Sequence, residues 1–228
     1  MIYYKDGVKM MRPIHTREEY VALRNGGEQR QLVQRIRGGE DGLKHKLLQM
    51  NYSCLPNDDG SLKGSKRMST TVGMDIDFVP PKELSAAEQQ AWLSERMAGV
   101  PELVMSKKDE LVLQMFERSA TKGYHLVFSR RPELSQEENL KWASELLGVA
   151  YDSQAKDITR VFFSTTEAEL IYLDDDIFDV SAAPKANHRG QAPQPPGRLR
   201  CFLRPAIARR RRFHAKFFLF HPPPGCLR

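Results

Sequence analysis

The chain has 228 residues, 40% hydrophobic and 28% charged, a size and balance suited to one good core plus an appendage and unlike a collagenous, wholly disordered or disulfide-scaffold protein. Its three cysteines, Cys54, Cys201 and Cys226, show no CxxC spacing, which argues against a disulfide framework and a structural zinc site. The formal charge of +6 is unevenly spread: residues 180–228 hold eleven Lys or Arg and no acid, leaving 24 basic against 29 acidic side chains before them, so any inference from overall charge to nucleic-acid binding rests on the tail.

The opening MIYYKDGVKMMRP lacks the continuous apolar segment of a signal peptide, and no run approaches the ~18 apolar residues of a membrane span. The expected compartment is therefore the cytoplasm, with no membrane partner. Thr16 and Glu19 form a capping-box pattern before Tyr20 and Leu23, which predicts a helix from about residue 17. Leu32, Val33 and Ile36 keep helical spacing and stop at Gly38 and Gly39; "DGLKHKLLQM" suits another short helix, so residues 1–50 read as a helical part.

A Gly/Ser/Asp-rich loop follows, and then "TVGMDIDFV" changes the period to two, where the core sheet is expected to begin. Two further capping boxes, Ser85 with Glu88 and Ser135 with Glu138, open helices that close at Gly99 and Gly148. Between them "ELVLQMFERSATKGYHLVFSRR" reads as two strands around a polar turn, and "ITRVFFST" and "LIYL" add β-rich runs. The expectation is an α+β domain over residues 1–179, followed by a Pro/Arg-rich linker and disordered tail over 180–228.

Three segments carry chemistry. On a strand, Asp75 and Asp77 share one face while Met74, Ile76 and Phe78 take the other. Two such carboxylates repel each other unless a divalent cation lies between them, which suits Mg²⁺ or Mn²⁺; the same pattern also suits a strand edge with a wet outer face. In the next hairpin His125 lies opposite Tyr124, Leu126 and Phe128, and the turn supplies Ser119, Thr121, Lys122 and Gly123, groups able to donate to triphosphate oxygens. A satisfied core histidine is the plainer alternative for His125. Farther on, Asp152 follows an apolar approach and Asp157 precedes Arg160; either acid can complete a metal cluster, and Arg160 can meet a phosphate, brace the acids or form a structural ion pair.

Taken in order, the apolar DxD, the turn with histidine and the apolar-Asp segment followed by "DITR" resemble the archaeo-eukaryotic primase (primase-polymerase) superfamily, and more narrowly the VirE N-terminal type of primase-like domain found on mobile-element replication proteins. The resemblance covers roughly residues 40–178. It implies a central, mainly antiparallel sheet flanked by helices, with Asp75, Asp77 and Asp152 as catalytic metal carboxylates and His125 on nucleotide phosphate. Lys122, Ser119 and Arg160 would be further nucleotide contacts, although Ser119 lies farther from its histidine than the family's serine commonly does, and Asp157 competes with Asp152. The implied activity is two-metal nucleotidyl transfer onto a nucleic-acid 3′-hydroxyl, as in DNA replication, with Mg²⁺ or Mn²⁺ as cofactor. The implied partners are nucleoside triphosphates and single-stranded DNA or primer-template, with a replicative helicase as a further expected partner.

Two other readings remain. A truncated or degenerate module could bind nucleic acid without catalysis, its basic tail making salt-sensitive phosphate contacts. Gly64 and Ser65, separated from Asp75 by nine residues, also resemble the GS-x9-DxD signature of polymerase-β-like nucleotidyltransferases, which expects the GS pair to open a helix facing the acids.

Overall fold

A computed structural model describes residues 2–6 and 10–179, and the expected linker and tail over 180–228 lie outside the described residues. Within them the chain is a mixed α+β arrangement of two four-stranded sheets, every strand pair antiparallel. The first sheet has the order β2-β1-β3-β7, from strands Ile2–Asp6 (β1), Met10–Ile14 (β2), Gln49–Asn51 (β3) and Phe162–Phe163 (β7). The second has the order β4-β6-β5-β8, from Thr71–Asp77 (β4), Leu113–Arg118 (β5), Gly123–Ser129 (β6) and Leu170–Leu173 (β8). Among the described residues no helix is long and apolar enough to cross a membrane.

The helices begin where side chains can satisfy their free N–H groups. Ser85 and Ser135 make reciprocal capping boxes at the starts of α3 (Ala86–Ala98) and α6 (Gln136–Leu147), the latter ending on Gly148 with φ +63°. At α1 (Arg17–Arg24) the Thr16 hydroxyl accepts from the Glu19 N–H at 3.2 Å, but Glu19 reaches back one residue farther, to the His15 N–H at 3.0 Å. α2 (Gly27–Arg37) stops at Gly38, as the spacing predicts. Two short helices, α4 (Val100–Ser106) and α5 (Lys108–Leu111), fill the stretch before β5.

The N-terminal part departs from its expected helical character. β1 and β2 form a hairpin, with Ile2 opposite Ile14, both fully buried, and "DGLKHK" is a 3-10 turn leading into β3. Pro13 is tolerated because β2 is the sheet edge, where no further strand needs its missing N–H.

Two cores result. Val72, Met74 and Ile76 of β4 and Tyr124, Leu126 and Phe128 of β6 pack under α3, α4 and α6. The opposite face of the same sheet contributes Met115 and Val127 to a second core shared with Ile2, Ile14 and Met50 of the first sheet, Tyr20 of α1 and Phe162. A bulge between Leu113 and Met115 reverses the alternation of β5, so Leu113 and Phe116 face the helices while Met115 faces the first sheet.

Close pairing of β4 and β6 needs Gly123, where a Cβ would come within 1.9 Å of the Ile76 carbonyl oxygen. Gly123→Ala is expected to lower stability by about 3 kcal/mol, because backbone must move. Gly27→Ala, which meets nothing within 4 Å at the start of α2, should stay within about 1 kcal/mol of wild type and on the stable side. Urea unfolding midpoints at unchanged slope would measure both.

Candidate active site

β4, β6 and β5 put Asp75, His125 and Glu117 in one row: Asp75 pairs in register with His125, and His125 with Glu117. All three project from the face turned toward the first sheet, since their strand neighbours Met74, Ile76, Tyr124, Leu126 and Phe116 fill the helix-side core. The His125 Nδ1 lies 2.8 Å from Glu117 Oε1, while its Nε2 lies 3.9 Å from Asp75 Oδ1, too far for a hydrogen bond. Phe162 closes a further side, its ring edge-on to the imidazole at 5.4 Å between centroids. Gly73 makes room for it, because a Cβ there would stand 2.7 Å from the Phe162 ring.

Behind this row lies a closed polar network. Glu117 Oε2 accepts from Arg24 Nη2 and, at 2.9 Å, from the Thr165 hydroxyl, and both charged side chains of the Arg24–Glu117 pair are 0% exposed. Arg24 Nη1 donates to the Tyr20 hydroxyl at 2.8 Å, which meets that of Tyr52 at 3.3 Å. Burial would raise the Glu117 carboxyl, but Arg24 and His125 outweigh it and hold the pKa at about 2. Burial likewise disfavours the charged imidazole, yet the Glu117 hydrogen bond and the charges of Asp75, Glu117 and Asp77 leave His125 above its ordinary value.

In front of the row the third segment arrives. The Asp152 N–H donates to the Asp75 carbonyl at 2.8 Å, which ties that loop to β4. Arg160 Nη2 stands 2.9 Å from Asp152 Oδ2 and 3.9 Å from Asp75 Oδ2. Asp75, Asp152, His125 and Arg160 therefore converge, with Asp77 exposed at the end of β4 on the same face. Asp157 does not join them; its carboxylate accepts from the Thr159 N–H and hydroxyl in a local exposed turn. Of the two candidate third acids, Asp152 is the one beside Asp75.

The turn residues fare differently from one another. The Ser119 hydroxyl is buried and accepts from the Gly123 N–H at 3.1 Å, closing the β5–β6 turn. Lys122 is half-buried in that turn and its carbonyl accepts from Phe78 N–H. Gly64 and Ser65 lie in a loop, with the Ser65 hydroxyl donating to the Leu55 carbonyl at 2.8 Å, so the GS pair opens no helix toward the acids.

Asp75 is the site's exceptional group. It is 8% exposed, its Oδ1 has no hydrogen-bond partner, and burial, reinforced by the charges of Asp77 and Asp152 against those of His125 and Arg160, raises its pKa. An unsatisfied buried carboxylate oxygen beside a second, exposed carboxylate fits a divalent cation held by Asp75 and Asp77. Asp152 is otherwise engaged, one oxygen accepting from Gln154 N–H and the other from Arg160, and among the described residues no group of three His, Cys, Asp or Glu is arranged to enclose an ion.

Glu117, Arg24, Tyr52 and Thr165 carry no site motif in the sequence, and Tyr20 stands out there only as an apolar helix position. The one available signal is an acid directly after the apolar pair Met115 and Phe116 in "LQMFER". Searches against protein-family models, curated proteins and solved structures give no match to this chain.

The buried pair dictates a stability test. Arg24→Leu leaves Glu117 without its compensating charge and should cost roughly 3–5 kcal/mol, whereas Arg24→Leu with Glu117→Leu should recover most of that loss. The Glu117 pKa lies below its ordinary 4.5, at about 2, so its contribution is complete above 4.5 and disappears as pH falls toward 2. That contribution is on the order of 3 kcal/mol. Urea unfolding at stepped pH should show this acid-side loss in wild type and its absence in the double variant.

Proposed function

We propose that this domain is a primase-polymerase-type nucleotidyltransferase, which transfers the nucleotidyl group of an incoming nucleoside triphosphate to a nucleic-acid 3′-hydroxyl with release of pyrophosphate. The observation that carries the reading is the convergence of three segments far apart in sequence, through Asp75, His125 and Asp152 with Arg160, around one buried carboxylate oxygen that has no partner. A structural cluster would spend that oxygen on a hydrogen bond; a site for an external cation leaves it free.

Asp75 and Asp77 would hold Mg²⁺ or Mn²⁺, which when bound supplies Lewis-acid polarisation of the triphosphate and of the attacking hydroxyl. The chain's own residues do the rest. Met74 and Ile76, buried on the far face of β4, fix the two carboxylates with little freedom to move. His125 presents Nε2 to the same space and donates to a phosphate oxygen, and Lys122 supplies positive charge from the adjoining turn. Arg160 braces Asp152 against Asp75, and a second cation at Asp152 requires that carboxylate to give up its contact with Arg160.

One feature favours a rival reading of nucleic-acid binding without catalysis. Arg160 already bridges Asp75 and Asp152, as it would in a module whose acids no longer take metal. Incorporation of labelled nucleotide on single-stranded template and on primer-template, with Mg²⁺ or Mn²⁺, separates the two. Wild type should exceed Asp75→Asn/Asp77→Asn by on the order of 100-fold or more, the scale of losing the main electrostatic element of a site. Folded wild type that incorporates no more than the double variant, yet binds DNA, would establish the rival reading.

A further inference from the structure

Glu117 has two oxygens, and the network behind the sheet accounts for one of them. Oε2 is taken by Arg24 and Thr165; an ion pair serving stability alone would be complete there. Oε1 is turned instead to His125 Nδ1 at 2.8 Å, in register across the β5–β6 pair. The carboxylate cannot follow the ring elsewhere, since Glu117 and Arg24 are 0% exposed and β5 is an interior strand of its sheet. With Nδ1 committed and Phe162 edge-on to the ring, Nε2 is the imidazole nitrogen left to face Asp75. It faces Asp75 Oδ1 across 3.9 Å, a gap that neither atom bridges, and Asp75 Oδ1 has no other partner.

We propose that Glu117, held by Arg24 and Thr165, is a positioning residue that fixes the His125 ring so that Nε2–H is presented to an anionic phosphate oxygen of the incoming nucleotide. The proposal rests on the nucleotidyltransferase reading for its ligand, but the ring's fixation is independent of it. Support runs in one direction, from α1 through β5 to β6, and ends at Nε2, which has no hydrogen-bond partner among the described residues. A buried carboxylate that takes the Nδ1–H fixes the orientation of the ring, as it does for histidine ligands and bases elsewhere, and an imidazolium so held donates through Nε2–H.

The test uses the full chain as wild type, Glu117→Gln, which keeps an acceptor oxygen, and Arg24→Leu/Glu117→Leu, which removes both buried charges together. The first readout is spectroscopic: wild type labelled at histidine should give a downfield, slowly exchanging Nδ1–H resonance for His125, assigned by its loss in His125→Ala. Glu117→Gln should retain that resonance at a less downfield position, and the leucine double variant should lose it. The second readout is kinetic: the leucine variant should raise the KM for nucleotide by about tenfold to a hundredfold, the scale of a misplaced active-site group, with the KM for template unchanged and Glu117→Gln partly restored. A folded leucine variant with wild-type nucleotide KM, or wild type lacking the His125 resonance, would overturn the proposal. Failure of wild type to incorporate nucleotide would remove the nucleotidyltransferase reading while the resonance still decides whether Glu117 fixes the ring.

Discussion

The Arg24–Glu117 pair is the interaction on which the described domain turns. Both groups are removed from water altogether, and neither survives there without the other, because an unpaired charge in that environment costs several kcal/mol. Once the pair forms, α1 is pinned to the centre of the second sheet. Tyr20, one turn before Arg24, then carries the second core outward through its hydroxyl to Tyr52 and through its ring to Phe178. Burial also pushes the Tyr20 and Tyr52 phenols up, so the network contains two charges and neutral hydroxyls in place of a run of titrating groups. Helix placement and site electrostatics share one cause.

From that pair outward, the backbone determines what reaches Asp75. β6 lies between β4 and β5, so a residue on β6 can be held from one side and offered to the other, and His125 occupies that position. β4 is a sheet edge, which leaves the Asp75 end of the row next to the loop that carries Asp152. Two close approaches preserve the geometry. Gly123 allows β4 and β6 to pair to the end of the hairpin, and Gly73 allows Phe162 to cross from the first sheet onto the row. Phe162 thereby joins the two sheets at the one place where an apolar wall beside the imidazole strengthens the local electrostatics.

What the sequence disclosed follows from the range of the signals. Capping boxes are local, and Ser85, Ser135 and Gly148 sit at the helix ends their neighbours indicate. Alternation along β4 and β6 is also local, which is why Asp75, Asp77 and His125 were assigned to the correct faces. The β1–β2 hairpin was hidden because its strands are five residues each, interrupted by charges and Pro13, and acquire their sense only from β3 and the second sheet. Glu117 was hidden for a different reason. Counted from Leu113, strict alternation puts residue 117 on the helix side, and only the bulge before Met115 turns it to the other face. The choice between Asp152 and Asp157 depends on a backbone hydrogen bond to Asp75, a contact between segments 77 residues apart that no pattern encodes.

The row across the sheet finally distinguishes two carboxylates that look alike in sequence. Both flank the same imidazole and both are largely buried, yet burial raises Asp75 while Glu117, also penalised by burial, is held at about 2 by Arg24 and His125. The difference is the number of donors each receives. Glu117 is saturated by an imidazole, a guanidinium and a hydroxyl, whereas Asp75 Oδ1 has no donor and Oδ2 has a guanidinium only at 3.9 Å. A saturated carboxylate resists change and can serve as an anchor; an undersatisfied one gains free energy by accepting a cation or a proton. The undersatisfied carboxylate therefore lies at the edge-strand end of the row, and the saturated one at the other.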